Sequence, residues 1–436
     1  VRALAVTLLA ATSASAQAAG LKELLDAAEQ QNVDRRISVE QRRRAAAEAV
    51  QAWTSLLPAL TAQGIWTHNQ YFATFDTPLV DTNGMPIIDT TTGRPKVRTL
   101  VIQPAQQYDA IFRIDVPLID VSRWFRVGSF SAAEAAAVER EDVTRDGVRR
   151  AVIGGWYGYA ASLAVRESAK RSVRVAEAQA QLQDVRAAAG AATELERLRA
   201  AAEVQRNRQT VSDTEVLVAT SRRNLLTLTS VDPGDAATLP PDDMRPEPPY
   251  QELEKNVDQL PQMRAAKHDI AATSRNADAA RLALIPTIGG QFTERASTLT
   301  GFTGQALSWN GGLTATWRID GPTLAGFNVQ SALEATSQLA AEKTRLASRD
   351  QIFSDWQRFN AALQKIEAAK SQLQAAVRAA QVARDRYAAG AATQIDVLQT
   401  ERDLFSAEVG EIQARTELGS ARLSLRISAG QPLDVQ

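Results

Sequence analysis

The sequence predicts a mostly helical α+β protein, internally duplicated, in which long helices are interrupted by two pairs of amphipathic β-strands. Three observations carry that prediction. A hexapeptide recurs at a fixed offset, with other residues in step. The apolar content, 44% of 436 residues, includes only 6% aromatics and is carried heavily by alanine, which suits long, closely packed helices better than a bulky core. In each half, the period of the apolar residues switches from helical to strict alternation after a proline.

The repeat is the strongest of these signals. Ala188-Ala189-Gly190-Ala191-Ala192-Thr193 recurs as Ala388-Ala389-Gly390-Ala391-Ala392-Thr393, shifted by 200 residues. The same offset pairs Trp156 with Trp356, Leu198 with Leu398, Arg222 with Arg422 and Leu225 with Leu425. Upstream, Leu57-Pro58 resembles Ile285-Pro286, and Arg113-Ile114-Asp115-Val116-Pro117 resembles Arg318-Ile319-Asp320-Gly321-Pro322. An ordered series of this kind marks a duplication.

Taken in order, residues 1–16 read as a signal peptide. Arg2 precedes an apolar run from Ala3 to Ala11 and an Ala14-Ser15-Ala16 cleavage site. The run is too short to span a bilayer. The first repeat, 17–230, comprises a helix over 21–57, a strand pair within 59–116 and a helical hairpin over 119–230. A Pro-rich segment, 231–251, follows. The second repeat, 252–430, has a helix over 252–285, a strand pair within 287–320 and a hairpin over 323–427, leaving a tail at 431–436. Both first helices stop before a proline, which disfavours α geometry in the residue preceding it.

The strands are placed by alternation. Tyr108, Ala110, Phe112, Ile114 and Val116 interleave with Asp109, Ile111, Arg113 and Asp115; Leu313, Ala315, Trp317 and Ile319 interleave with Gly312, Thr314, Thr316 and Arg318. Such strands fit half of a soluble sandwich, or the lipid and lumen faces of a barrel. Their partners are expected at about 59–75 and 287–297, joined by a long loop (76–107) and a short one (297–310). No apolar stretch beyond residue 20 reaches transmembrane-helix length, so entry into a membrane would be by strands.

Helix lengths suggest how the parts stack. At 1.5 Å per residue, 119–188 and 323–388 would each run about 100 Å. The returning helices, 193–230 and 393–427, are about half as long, and each could be continued end to end by one of the short helices, 252–285 and 21–57. Ile366, Leu373, Ala380 and Tyr387 recur every seven residues with Ala369, Ala376 and Ala383 between them; after the turn, Ile395, Val409 and Leu423 alternate with Leu398, Phe405 and Ile412. This is a coiled-coil pattern with small residues allowing close approach, interrupted at Arg402, Thr416 and Gly419.

Composition excludes much else. With 49 basic against 50 acidic residues, no basic face for nucleic acid is expected. The chain has no cysteine, and its two histidines, His68 and His268, are far apart. Disulfide, thiol, iron–sulfur and Cys- or His-based metal chemistry are therefore not expected. No G-x-S-x-G, H-E-x-x-H or P-loop occurs, so the reading contains no enzyme, catalytic residue, cofactor or metal site.

The duplicated helix–strand–strand–hairpin plan, the Leu-Leu-Pro and Ile-Pro helix ends and the stretch Arg386 to Gln399, RYAAGAATQIDVLQ, together resemble the TolC-like outer membrane efflux proteins. The resemblance covers essentially the whole mature chain. It implies a homotrimer in the outer membrane of a Gram-negative-type envelope, each protomer giving four strands to a shared 12-stranded barrel. The helices would continue as a long periplasmic α-helical barrel, with 231–251 in its equatorial region. It further implies a passive exit duct in a tripartite efflux or type I secretion system, working with a periplasmic adaptor (membrane fusion) protein and an inner-membrane pump.

The resemblance also places residues. Asp396 and Glu196 fall where family carboxylates ring a periplasmic constriction, and rings of carboxylates favour cations. Family members carry a further aspartate one turn on, where this chain has Gln399 and Arg199. Tyr387 matches a gating tyrosine whose arginine partner is here Ala392. Asp396 and Glu196 read equally well as first-turn acids favoured by the helix dipole. Gly190, Ala191, Thr193, Gly390, Ala391 and Thr393 would form the hairpin tips that meet the adaptor, or serve only as helix stops. Trp66, Phe112, Trp309 and Trp317 would belong to an aromatic girdle facing outer membrane lipid, or to a soluble core. The competing reading is a periplasmic coiled-coil adaptor or scaffold outside the membrane, disfavoured by two hairpins and two amphipathic strand pairs.

Overall fold

The computed structural model describes residues 20–235, 237–240 and 244–433. The signal peptide expected at 1–16 and the end of the C-terminal tail lie outside the described residues. The chain divides into a helical unit (residues 1–43, 136–267 and 340–436) and a sheet-bearing unit (44–135 and 268–339).

The first helical segment is two helices, α1 (Leu21–Gln31) and α2 (Val33–Thr54), rather than the single one expected over 21–57. Asn32 makes the break. Its backbone is extended, its Oδ1 accepts from the amides of Asp34 (2.9 Å) and Arg35 (3.3 Å), and its Nδ2 donates to the Leu228 carbonyl (3.0 Å). An asparagine cap is compatible with helical periodicity on both sides, which is why the apolar pattern alone does not reveal it.

The two long helices are α3 (Val121–Ala188) and α7 (Gly321–Ala388), 68 residues each; they return as α4 (Glu194–Thr229) and α8 (Gln394–Ser428). In the helical unit they bury real cores. Val152, Ile153, Tyr159 and Leu225 make one, with α1 contributing Leu24; Ile352, Phe359, Ile366, Leu418 and Leu425 make another. Of the seam expected on α8, Leu423 is buried and Leu398, Phe405, Val409 and Ile412 are half-buried, but the most deeply buried residues lie beside them. These are Val397, Ala407, Glu411, Ala414, Leu418 and Leu425, while Ile395 is exposed. Hydrogen-bonded polar residues, Gln394 and Glu411, occupy buried positions that an apolar count assigns to solvent. Gly419 is a site of close packing rather than an interruption: a Cβ there would collide with the ring of Tyr157 on α3.

The Pro-rich segment is tied to the helices. Glu247 pairs with Arg422 (2.8 Å) and Arg426 (3.0 Å), the Pro248 carbonyl accepts from Trp356 Nε1 (3.2 Å), and Asp232 pairs with Arg222 (2.7 Å). The helix expected over 252–285 is shorter. A single turn, α5 (Tyr250–Glu254), and a 3₁₀ turn precede α6 (Pro261–Leu282), because Pro261 starts a new helix where its missing N–H costs nothing.

In the sheet-bearing unit, β1 (Ala59–His68), β4 (Gln106–Ile119), β5 (Thr287–Ser297) and β6 (Leu307–Thr316) form one antiparallel sheet in the order β1-β4-β5-β6. The long connection is not a plain loop: β2 (Ala73–Pro78) and β3 (Val97–Gln103) pair in it as a separate hairpin. Cross-strand partners share a face, so register sorts the side chains. Leu60, Trp66, Tyr108, Phe112, Ile114, Phe292, Trp309 and Leu313 lie on one face. Asp109, Arg113, Asp115 and Arg295 lie on the other, where Arg295 and Asp109 form an ion pair at 2.8 Å. Every residue of β6 is exposed. No helix is long and apolar enough to cross a membrane among the described residues.

Candidate functional site: the paired hairpin turns

The two Ala-Ala-Gly-Ala-Ala-Thr elements fold alike. Gly190 (φ +70°) and Gly390 (φ +76°) take the left-handed conformation that ends α3 and α7. Beyond each glycine the next amide reaches back into the last turn, Ala191 to the Arg186 carbonyl (2.7 Å) and Ala391 to that of Arg386 (2.8 Å). Thr193 and Thr393 then open the returning helices as N-caps. Each Oγ1 accepts from the amide three residues on, and that residue's carboxylate, Glu196 or Asp396, accepts from the threonine amide at 2.7 and 2.8 Å. These are reciprocal capping boxes. Hydrogen bonds from Thr193 and Thr393 hold both carboxyl groups below their ordinary range.

The sequence-derived constriction residues therefore have definite local roles. Glu196, half-buried, and Asp396, exposed, are turned onto their own caps. Gln399 donates to Asp403 (3.0 Å) along α8, and Arg199 is exposed on α4. Tyr387 differs: it is buried, accepts from Gln183 Nε2 of α3 (2.7 Å), and lies under the Arg186 guanidinium, 4.8 Å from the ring centroid. With Ala392 in the position of the expected arginine, the tyrosine hydroxyl is held by a neutral amide instead.

Three further links between the hairpins were not evident from the sequence. Gln394, buried, donates to the Glu196 carbonyl at 2.8 Å. Glu203, whose side chain is only 7% exposed, receives Arg402 at 2.5 Å and Arg206 at 3.0 Å. Higher on α8, Glu408 accepts from Ser168 and, at 2.9 Å, from Arg171. The one available signal was the pair Glu203 and Arg402 at almost the repeat offset; spacing alone does not distinguish it from the many other Glu and Arg residues on these helices.

The aromatic residues assigned to a girdle occupy two ends of the sheet. Trp66, Phe112 and Trp309 share its apolar face; Trp66 sits opposite Tyr108, and Phe112 and Trp309 both flank Glu294. Trp317 lies just beyond β6, at the end nearer the helices, and donates to the Leu284 carbonyl (2.8 Å). Glu294 is the one charged residue on this face, and its carboxylate makes no hydrogen bond or ion pair among the described residues. Among those residues no group of His, Cys, Asp and Glu is arranged to hold a metal.

Residues 253–431 match the model of the outer membrane efflux protein family. No curated protein matches the sequence at a significant level. Among solved structures, the chain is similar to a membrane protein from Pseudomonas aeruginosa at 19% identity and TM-score 0.75, over 94% of this chain and 93% of that one. It is similar to the outer membrane channel CmeC of Campylobacter jejuni at 15% identity and TM-score 0.75, over 94% and 85%. A third is the outer membrane protein VceC of Vibrio cholerae, at 16% identity and TM-score 0.74, over 94% and 96%. The family match covers the second repeat, whose plan the first repeat duplicates, and the likeness in fold to these solved outer membrane proteins spans nearly the whole chain.

Proposed function

We propose that three copies of this chain form an exit duct through the outer membrane for a tripartite efflux or type I secretion system. The observation that carries the reading is the sheet. Four strands with one apolar face end in two unpaired edges, β1 and β6, and open edges are not tolerated in lipid, whereas three such sheets close a 12-stranded barrel. In this reading the apolar face, including Trp66, Phe112 and Trp309, meets lipid. The face bearing Asp109 and Arg295 lines the lumen. The helices reach into the periplasm, where the hairpin tips at Gly190, Ala191, Thr193, Gly390, Ala391 and Thr393 meet an adaptor protein coupled to an inner-membrane pump. The pump supplies energy and cargo selection.

At the periplasmic end, Asp396 and Glu196 of three protomers constrict the duct. Gln183–Tyr387, Gln394–Glu196 and Glu203–Arg402 hold the two hairpins of each protomer together. The test is the mass and membrane fraction of the detergent-extracted native protein, followed by single-channel conductance. A trimer in the outer membrane is expected, with low conductance that rises in Glu203→Ala. A monomer in the soluble periplasm would overturn the duct; unchanged conductance in Glu203→Ala would remove that pair from the closure.

A further inference from the structure

Resting on the trimeric reading, we infer the register in which β6 of one protomer pairs with β1 of the next, and the side-chain seam this creates. Within the sheet, β1 ends at His68. The first residue of β6, Leu307, stands level with Gly64 through Ala296 and Ala110. The edge remote from the helices thus descends four residues across three strand steps. Continuing that slope through a fourth step gives a descent of between five and six residues. Side chains alternate, so an odd descent would turn the apolar face inward, and only four or six is admissible.

Side-chain volume decides between them. A descent of four sets Trp309 against the partner subunit's Trp66, and Gly311 against the partner's Gly64, crowding one position and leaving a void at the next. A descent of six sets Trp309 against the partner's His68, Gly311 against the partner's Trp66, Gly312 against the partner's Ile65, Leu313 against the partner's Gly64, and Ala315 against the partner's Ala62. Three glycines then each face a large side chain. Glycine inside a strand costs stability and marks a place where something else comes close. Within one chain, a Cβ at Gly64 or Gly312 would meet nothing within 4 Å, so packing inside the protomer does not call for either glycine. Both lie on the open edge strands. The seam with a second copy in the six-residue register gives each of them a neighbour that needs the room.

The natural chain has no cysteine, which permits a direct test by oxidative cross-linking of the full-length protein in outer membranes. Directly opposed residues have Cβ atoms about 4.5–5.5 Å apart, and diagonal ones are farther than a disulfide can bridge. The double variant Ala62→Cys with Ala315→Cys is expected to give a covalent trimer on a non-reducing gel, and Ala62→Cys with Leu313→Cys to remain uncross-linked. Gly64→Cys with Leu313→Cys repeats the first result with different side chains. Cross-linking of Ala62→Cys with Leu313→Cys alone would establish the four-residue register and overturn the proposal, as would failure of every pair in a protein that remains trimeric by mass. A monomeric mass for the cysteine-free parent would instead defeat the trimeric reading on which it rests.

Discussion

The helical unit and the sheet-bearing unit solve the problem of burial in opposite ways. In the helical unit, Tyr159, Phe359, Ile153 and Leu225 are fully enclosed by their own chain, and the polar groups among them find partners: the Tyr159 hydroxyl donates to the Gly234 carbonyl at 2.5 Å. In the sheet-bearing unit, Trp309 and Leu313 are more than 70% exposed, and β6 has no buried residue. The first unit encloses cores of its own, while Val185, Leu198 and Val216 stay exposed on its surface. The second carries the same kind of apolar side chain on a sheet that leaves it uncovered; in the proposed trimer the cover is lipid on one face and another copy at each edge. The difference teaches that exposure in this sheet is a specification of surroundings, in line with a strand's need to pair every ladder group once water is absent.

The comparison can be broken most sharply by truncating one large side chain in each unit. Phe359→Ala is expected to cost about 3–5 kcal/mol, as for buried aromatic residues elsewhere. Leu313→Ala, at a side chain 76% exposed in the protomer, should leave the thermal unfolding of the helical unit unchanged while lowering the fraction of trimer that survives detergent. Equal effects of both on helix unfolding, followed by circular dichroism, would abolish the distinction.

Gly419→Ala comes next. The new Cβ would meet the Tyr157 ring, and overpacking of this kind costs about 1–3 kcal/mol. The same substitution at Gly312, in open space within the chain, should have no effect on helix unfolding. Smaller again is the acid response of the hairpin turns. Asp396 and Glu196 titrate below their ordinary values because their charged forms accept the N-cap bonds. Their stabilisation is therefore full above the ordinary carboxylate range and is lost as pH falls through the lowered values, below about pH 4. Amide exchange at the tips should be flat from pH 5 to 8 once corrected for intrinsic rates, and should accelerate only below that threshold. Thr393→Ala should remove about 1 kcal/mol of capping and flatten the acid response at Asp396. Smallest is Glu294→Ala, which should gain no more than about 1 kcal/mol of trimer stability, since a carboxylate near the interface costs little. A large loss there would mean that Glu294 has a partner in the assembly.

How much of this was legible beforehand follows from the kind of signal each element leaves. Repetition, the alternation of Tyr108 to Val116, and the Gly–Thr turns leave periodic or punctuating marks, and those elements stand close to where the sequence puts them. The break at Asn32 and the restart at Pro261 depend on single side chains that periodicity averages away. The hairpin of β2 and β3 was hidden because its strands, with Asp76 paired to Thr99 and Thr77 to Arg98, alternate no more cleanly than a polar loop. At the candidate site, Glu196, Asp396 and Tyr387 were visible through the repeat and the resemblance, whereas Gln183, Gln394 and Glu203 were not.

The sequence by itself determined the duplication, the two hairpins with their glycine turns and threonine caps, and the amphipathic strands, because each rests on interactions within a few residues. Tertiary structure alone decided that Gln394 and Glu411 are buried on α8, that Tyr387 is held by Gln183, that Glu203 joins Arg402 across two hairpins, and that Glu294 stands among aromatic residues on the apolar face. Those outcomes depend on contacts between residues about 200 positions apart, or on the register of one strand against the next, where a shift of one residue would exchange the two faces of the sheet.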